Sequence, residues 1–327
     1  MPLKTLRKEE YLLGTEPEKR SVEQLLQFGI VPVDKPPGPS SHEVSSFVRK
    51  MLGVKKTGHS GTLDPGVSGV LPVLLNNSCK LAKLMLGSIK EYVCVMRTGA
   101  PLSKKEADEL FENFRGKIYQ TPPLESAVKK QLRIREIYGL KVLEANEAEK
   151  LVLFSSRVQG GTYIRRLVRD FGVLQGAEAQ MVDLRRTVAS GLREEQCVSL
   201  QELSDRFWLW KEKGEEKLLR ECLLPLEKVV KLKKVVVGDD VIKFLCSGAD
   251  LAVPGVNAID DKICEGETIG IFSGKGELVC VAKALMSSEK VIELFEAPAG
   301  DERAAEKRQK GIAFDLERVV NFLGAVQ

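Results

Sequence analysis

With 327 residues, 43% of them apolar, the chain has room for a sizeable core and for two domains, or one large domain and a small one. Its 50 basic and 46 acidic residues leave a formal charge of only +4, so the total is no sign of nucleic-acid binding and any such signal has to lie in clusters. Seven cysteines without a C-x-x-C pair, beside only two histidines, argue against a zinc site and read as reduced core thiols; with no leader-like start and no apolar run of ~18 residues, a soluble intracellular protein is expected.

Residues 1–27 are charge-rich and read as a surface arm or docking segment. Gly29 to Gly38 reads as a short strand broken by a proline turn, and Ser40 with Glu43 forms a capping-box signature for a helix. Val44, Phe47, Val48 and Met51 repeat at helical spacing, and Gly53 closes the helix. The segment Gly58-His59-Ser60-Gly61-Thr62-Leu63-Asp64-Pro65-Gly66-Val67-Ser68-Gly69 holds one carboxylate among four glycines, just ahead of the apolar run Val70 to Leu75. Glycine at that density lets backbone approach a ligand closely, although Asp-Pro-Gly is also ordinary turn chemistry.

A helix from about Asn77 to Leu86 and a strand from Tyr92 to Met96 follow. A further strand, Leu151 to Val158, leads through Gln159-Gly160-Gly161 into a helix with Tyr163, Leu167 and Phe171 on one face, ended by Gly172. Strands and helices alternate without βαβ regularity, which argues α+β, with a mixed and mainly antiparallel sheet. Beyond Trp208, Trp210 and the Lys211 to Lys217 charge run, composition changes near Pro225. From Lys233 onward short strands and turns (Val235 to Val237, Ala252 to Gly255, Thr268 to Phe272, Leu278 to Ala284) have the rhythm of a small β-barrel. Glu296 to Gly311 reads as an exposed, partly helical insertion before a last strand and helix. The expected domains are therefore an arm over 1–27, a catalytic domain over 28–231 and a barrel over 232–327.

Five blocks in order carry a resemblance: Asp34-Lys35-Pro36-Pro37-Gly38-Pro39-Ser40-Ser41-His42-Glu43-Val44; the loop Gly58 to Pro72; Lys90-Glu91-Tyr92; Pro122 to Lys129; and Gly161-Thr162-Tyr163-Ile164-Arg165. The loop resembles the motif G-H-x-G-T-L-D-P-x-x-x-G-V-L-P of the TruB and dyskerin family of RNA pseudouridine synthases. The chain is most similar to the archaeal dyskerin type, the catalytic subunit of box H/ACA ribonucleoproteins, over about Gly29 to Asn321. Cys246 to Leu251, Val253 to Val256 and Ala282 to Ser287 resemble a PUA domain, an RNA-binding module. The resemblance implies isomerisation of uridine without any cofactor: the N1–C1′ bond breaks, uracil turns, and C5 bonds to C1′.

On the same resemblance Asp64 is the catalytic carboxylate, acting as nucleophile or as base at C2′. Tyr92 stacks on the flipped base, and Arg165 pairs with Asp64 and aims it. His59, Leu184, Lys35, Lys129 and Arg133 are expected around the substrate RNA: His59 at the flipped nucleotide, Leu184 as a pocket wall, Lys35 buttressing the loop. Lys130, Arg135, Arg166, Arg185 and Arg186 add candidate phosphate contacts, and Lys243, Arg318 and the Gly248 to Leu251 turn are candidates in the barrel. Expected partners are an H/ACA guide RNA, substrate RNA and small H/ACA ribonucleoprotein subunits, with no membrane. The absence of the lysine-rich tails of eukaryotic relatives implies an archaeal-type cytoplasm.

Two other readings stay open: a stand-alone tRNA uridine-55 synthase, and a non-catalytic RNA-binding scaffold. Intact Asp64, Tyr92 and Arg165 speak against the scaffold. A nucleophile elbow fails because Thr62 stands where glycine is required, and a phosphate loop fails because Gly276 replaces the needed Ser or Thr.

Overall fold

The computed structural model describes residues 3–122, 129–297 and 311–320. The Pro122 to Lys129 block is therefore described only at its two ends, and nearly all of the Glu296 to Gly311 insertion lies outside the described residues, as does any last helix. The chain divides into two compact units, one of residues 29–224 and one of residues 1–28 with 225–327.

The first unit is built on a mixed, mainly antiparallel sheet. Its strands run in the order Gly29–Lys35, Ser68–Leu75, Ala179–Ala189, Lys90–Thr98, Leu151–Val158, Arg133–Asn146 and Gly116–Gln120. Only Ser68–Leu75 against Ala179–Ala189 is parallel among these neighbours. The run Val70 to Leu75 is wholly buried because it lies inside this sheet. One face is packed by helices Lys104–Glu112 and Ile164–Gln175; the Phe111 ring lies 4.7 Å, centroid to centroid, from both Phe154 of the sheet and Phe171 of the second helix. Helix Ser41–Leu52 carries the expected capping box, with the Ser40 hydroxyl accepting from the Glu43 amide and the Glu43 carboxylate accepting from the Ser40 amide.

Three details of the sequence reading change. Helix Ile164–Gln175 does not stop at Gly172 but runs on to a left-handed cap at Gly176. Gly172 is there for space, since a Cβ would stand 2.4 Å from the Ala179 amide nitrogen where the helix crosses the next strand. After Leu75 the chain makes a 3-10 turn over Asn76–Leu81 and only a short helix over Ala82–Leu86. Arg133–Asn146 and Ala179–Ala189, among the longest strands, escaped the sequence reading because their polar and apolar residues alternate unevenly across bulges.

In the second unit a sheet runs in the order Leu3–Thr5, Val256–Asp260, Lys234–Val237, Thr268–Phe272, Leu278–Ala284, Ile312–Val319 and Leu251–Ala252. Helices Asp239–Cys246 and Ser288–Glu296 contribute Ile242, Leu245, Val291 and Leu294 to its core. The charged opening segment is an integral part of this unit. Leu3–Thr5 pairs antiparallel with Ala258 to Asp260, the Leu12 and Leu13 amides donate to the Asp239 carboxylate, and Lys275 donates to the Leu12 and Gly14 carbonyls.

Its anchor is Arg20, 1% exposed, whose guanidinium takes both oxygens of Glu227 at 2.8 and 2.9 Å and reaches Glu277 at 3.0 Å. Burial opposes the Arg20 charge, but the two carboxylates outweigh it and raise the guanidinium above its ordinary pKa. Removing one member of such a cluster strands the others in a dry site. Arg20→Met is expected to cost about 3–5 kcal/mol in denaturant unfolding, far more than a surface arginine would; an unchanged midpoint would show that the segment is not held by this cluster.

Candidate active site

Asp64 occupies the first position of a tight turn, with the Val67 amide donating to the Asp64 carbonyl at 3.0 Å and Pro65 setting the second position. The backbone on either side is held from beneath. Ser41, in the first turn of helix Ser41–Leu52, accepts from the Leu63 amide at 2.7 Å and donates to the Leu63 carbonyl at 3.0 Å. Lys35, with no exposed surface, gives all three of its N–H groups to the carbonyls of Pro36, Pro65 and Val67 at 2.7–3.0 Å. The Gly38 amide donates to Pro65 as well. Lys35 is thus a buttress, as expected, and not a contact for RNA; burial first, and Arg186 second, hold its pKa below the ordinary lysine value.

At the far end of the loop, Gly69 has φ +105, and a Cβ there would stand 2.2 Å from the Arg186 carbonyl oxygen. Only glycine lets the loop re-enter the sheet that close to the neighbouring strand. The register places Gly69 opposite Arg186, and Arg186 in turn opposite Tyr92 on strand Lys90–Thr98. Tyr92 and Leu184 are both buried and belong to one apolar cluster with Leu63 and Val67.

Arg165 comes from the first turn of helix Ile164–Gln175. That start is pinned by Gln120, 2% exposed, whose side-chain amide accepts from the Tyr163 N–H at 3.0 Å and donates to the Tyr163 carbonyl at 3.2 Å. From there the Arg165 guanidinium donates to the Asp64 carboxylate. Both side chains are about half exposed, at 43% and 54%. An ion pair so exposed contributes about 0–1 kcal/mol to stability, so what it provides is orientation of the carboxylate.

The other basic candidates separate by environment. Arg185 is committed to Asp34 through both oxygens at 3.0 and 3.1 Å and to Glu194 at 2.7 Å, and these carboxylates raise its pKa. Arg186 is 1% exposed and faces inward. Burial removes Arg186 as a phosphate contact, which corrects the expectation, while Arg185 stays partly exposed but paired; alternation along a strand puts one of two adjacent arginines inside, and pairing captures the other. Arg166 bonds Asp170, and Arg135 bonds the Gly161 and Ile134 carbonyls. Lys129 is exposed, and Arg133 is half-buried opposite Gln120, without a described link to Asp64. His59 ends strand Thr57–His59 half-buried, its Nδ1 without a hydrogen-bond partner. Burial, then Arg186 and His42, keep its pKa below the usual histidine value.

Ser41, Gln120, Lys90 and Arg186 were not read in these positions from sequence. Lys90, 3% exposed, donates to the Ser88 hydroxyl at 2.6 Å and the Ser88 carbonyl at 2.9 Å, and a hydroxyl chain continues through Ser190 to Ser60 in the loop.

A carboxylate on a rigid loop, an arginine aiming it, and a tyrosine beside an apolar wall, set on this mixed sheet and joined to a barrel unit, define a pseudouridine synthase with a PUA domain. Residues 49–164 match the TruB family pseudouridylate synthase N-terminal domain, 165–231 the tRNA pseudouridylate synthase B C-terminal domain, 233–296 the PUA domain, and 1–45 the DKCLD domain. The chain is 44% identical over 308 residues to a probable tRNA pseudouridine synthase B of Archaeoglobus fulgidus, covering 94% of this chain and 90% of that protein. A relative of the same name from Pyrococcus furiosus is 40% identical, covering 94% and 86%. Among solved structures, a Cbf5-Nop10-Gar1 complex contains a chain of 39% identity that superposes with TM-score 0.86 over 98% of this chain and 94% of that one. An H/ACA ribonucleoprotein bound to a substrate RNA containing 2′-deoxyuridine matches with TM-score 0.85 and 36% identity over 98% and 94%. The chain belongs to the TruB family and is an RNA pseudouridine synthase.

The Lys90 pKa is pushed down to about 8, by burial foremost and by Arg186 next. The native state therefore sheds a proton near pH 8 that the unfolded chain keeps to about 10.4, so the wild type should gain stability across that window as pH rises. Lys90→Met removes this gain. Urea midpoints of both proteins at pH 7.5, 8.5 and 9.5 should diverge in favour of wild type with rising pH; parallel curves would refute the assignment.

Proposed function

We propose that this chain isomerises uridines in RNA as the catalytic subunit of a guide-RNA-dependent H/ACA complex, with Asp64 as the catalytic carboxylate. The observation that carries the guided reading is the end-to-end match to chains seen in a Cbf5-Nop10-Gar1 complex and in a substrate-bound H/ACA ribonucleoprotein. By that likeness its partners are a guide RNA, a substrate RNA and small proteins of the Nop10 and Gar1 kinds. In the PUA-type unit the exposed Lys243 and the Gly248 to Leu251 turn are the candidates for reading RNA by shape and backbone, with Arg318 beside them in the sequence-based set.

In the reaction the target base leaves its stack, at a cost of a few kcal/mol, and is received between Tyr92 and Leu184. Asp64, aimed by Arg165, acts at the ribose beside C1′ and C2′, as nucleophile or as base. The N1–C1′ pair of electrons departs with uracil, which turns. C5 then bonds to C1′, the C5 hydrogen leaves as a proton, and N1 ends protonated. Atoms and electrons balance within the substrate, so the chemistry calls on no redox or energy cofactor.

A tRNA-directed activity without guide RNA is the second reading, favoured by the names of the archaeal relatives. The two separate in one assay: tritium release from 5-tritiated uridine in a guide-paired target and in a tRNA transcript, each with and without guide RNA and partner proteins. Conversion that requires the guide supports the first reading. Equal conversion of tRNA by the chain alone would replace it with the second.

Asp64→Asn keeps shape and removes charge, and should cut single-turnover conversion by at least ~10²- to 10⁴-fold. RNA affinity should stay close to wild type, because it rests on many phosphate and shape contacts. Substantial conversion by this variant would reduce Asp64 to a turn residue.

A further inference from the structure

Besides the buttress Lys35, two further cations are buried behind the Asp64 loop, and the reaction scheme above uses neither. Arg186 is 1% exposed and Lys90 3%, and among the described residues no carboxylate forms an ion pair with either. Desolvating an unpaired cation costs several kcal/mol, so stability alone gives no reason to place two of them here. Groups held against that cost are concentrated at functional sites.

The Arg186 fork has two carbonyl acceptors, one on each limb of the loop, and faces Tyr92 across the strand pair. Its Nε–H donates to the Val70 carbonyl at 2.8 Å, on the strand that leaves the loop. One Nη donates to the Gly61 carbonyl at 3.1 Å, on the limb that enters the loop. Tyr92 stands directly opposite Arg186 on the neighbouring strand, both side chains are buried, and the Tyr92 hydroxyl is the polar group there that interacts with the guanidinium. Arginine has no lone pair to offer, so the Tyr92 oxygen is the acceptor and its own hydrogen is left for another partner. The Arg186 main chain meanwhile closes on Gly69, which leaves no room for a side chain between them. Lys90 backs the same limb, with its Cε as close to a Cβ at Gly61 as the Arg186 Nη1, 3.5 Å in each case.

We propose that Arg186 is a positioning residue for pseudouridine formation: one guanidinium ties both limbs of the Asp64 loop to the Tyr92 hydroxyl, setting the distance between the ring that receives the base and the carboxylate that acts on the ribose. The proposal rests on Asp64 and Tyr92 being the reacting site. Arginine is required because its planar fork reaches both limbs of the loop in fixed directions while still facing Tyr92, whereas lysine presents one point charge on a flexible stem. A misplacement of about 1 Å between reacting groups costs on the order of 10²-fold in rate.

The test is a double-mutant cycle on the full chain, using Arg186→Lys, Tyr92→Phe and both together, read by single-turnover tritium release at saturating RNA. Binding titration and thermal melting are run in parallel. Arg186→Lys is expected to slow conversion about 10- to 100-fold while RNA affinity stays near wild type. Because it acts through the tyrosine hydroxyl, the double variant should be no slower than the slower single variant.

A wild-type rate in Arg186→Lys, multiplicative losses in the double variant, or an affinity loss matching the rate loss would each overturn the proposal. Should Arg186→Lys melt below the assay temperature, Tyr92→Phe decides alone, since it keeps the ring and deletes the hydroxyl that faces Arg186. A full rate then refutes the link; a slowed rate at unchanged affinity supports it. Asp64→Asn, run alongside, separates the two levels: its conversion would overturn the site itself, whatever Arg186 does.

Discussion

Everything in the catalytic unit depends on how four main-chain carbonyls, those of Gly61, Leu63, Pro65 and Val67, are held from below. Each accepts a hydrogen bond from a buried side chain: Arg186, Ser41 and Lys35, the last of which takes two. Hydrogen bonds from charged donors contribute about 1.5–3 kcal/mol each, against about 0–1 kcal/mol for the exposed Asp64–Arg165 pair. The loop is therefore set by its underside. Asp64 itself stays accessible at the top, and a rigid support beneath an exposed functional group is what preorganisation requires.

The two units bury arginine in opposite ways. Arg20 is neutralised by Glu227 and Glu277, so it acts as a local staple whose loss strands two carboxylates. Arg186 and Lys90 meet only carbonyls and hydroxyls, which fix their geometry but leave their charge uncancelled. The first arrangement serves stability. The second accepts a desolvation cost that burial makes visible in the low pKa of Lys90, and it leaves positive potential directly behind the Asp64 loop.

Much of this protein is determined by its sequence alone. The capping box at Ser40, the buried run Val70 to Leu75, the α+β class and the short strands after Lys233 follow from local propensity and periodicity, which act over a few residues. The resemblance of five short blocks was enough to bring Asp64, Tyr92, Arg165 and Leu184 forward and to assign Lys35 a buttressing role. Such readings are possible because turn chemistry and the clustering of functional residue types are written in short segments.

Tertiary structure decided the rest. That Gly172 makes room for a strand instead of ending a helix depends on Ala179, seven residues on and across a packed interface. That Arg185 is captured by Asp34 while Arg186 turns inward depends on a parallel pairing between segments more than a hundred residues apart, which fixes strand register and hence the facing of every side chain. The charged opening segment became a sheet strand and a buried ion cluster for the same reason: its partners, Asp260, Glu227 and Glu277, lie more than two hundred residues away. Charge and hydropathy are properties of single residues, but whether a given arginine meets water, a carboxylate or a carbonyl is a property of the fold.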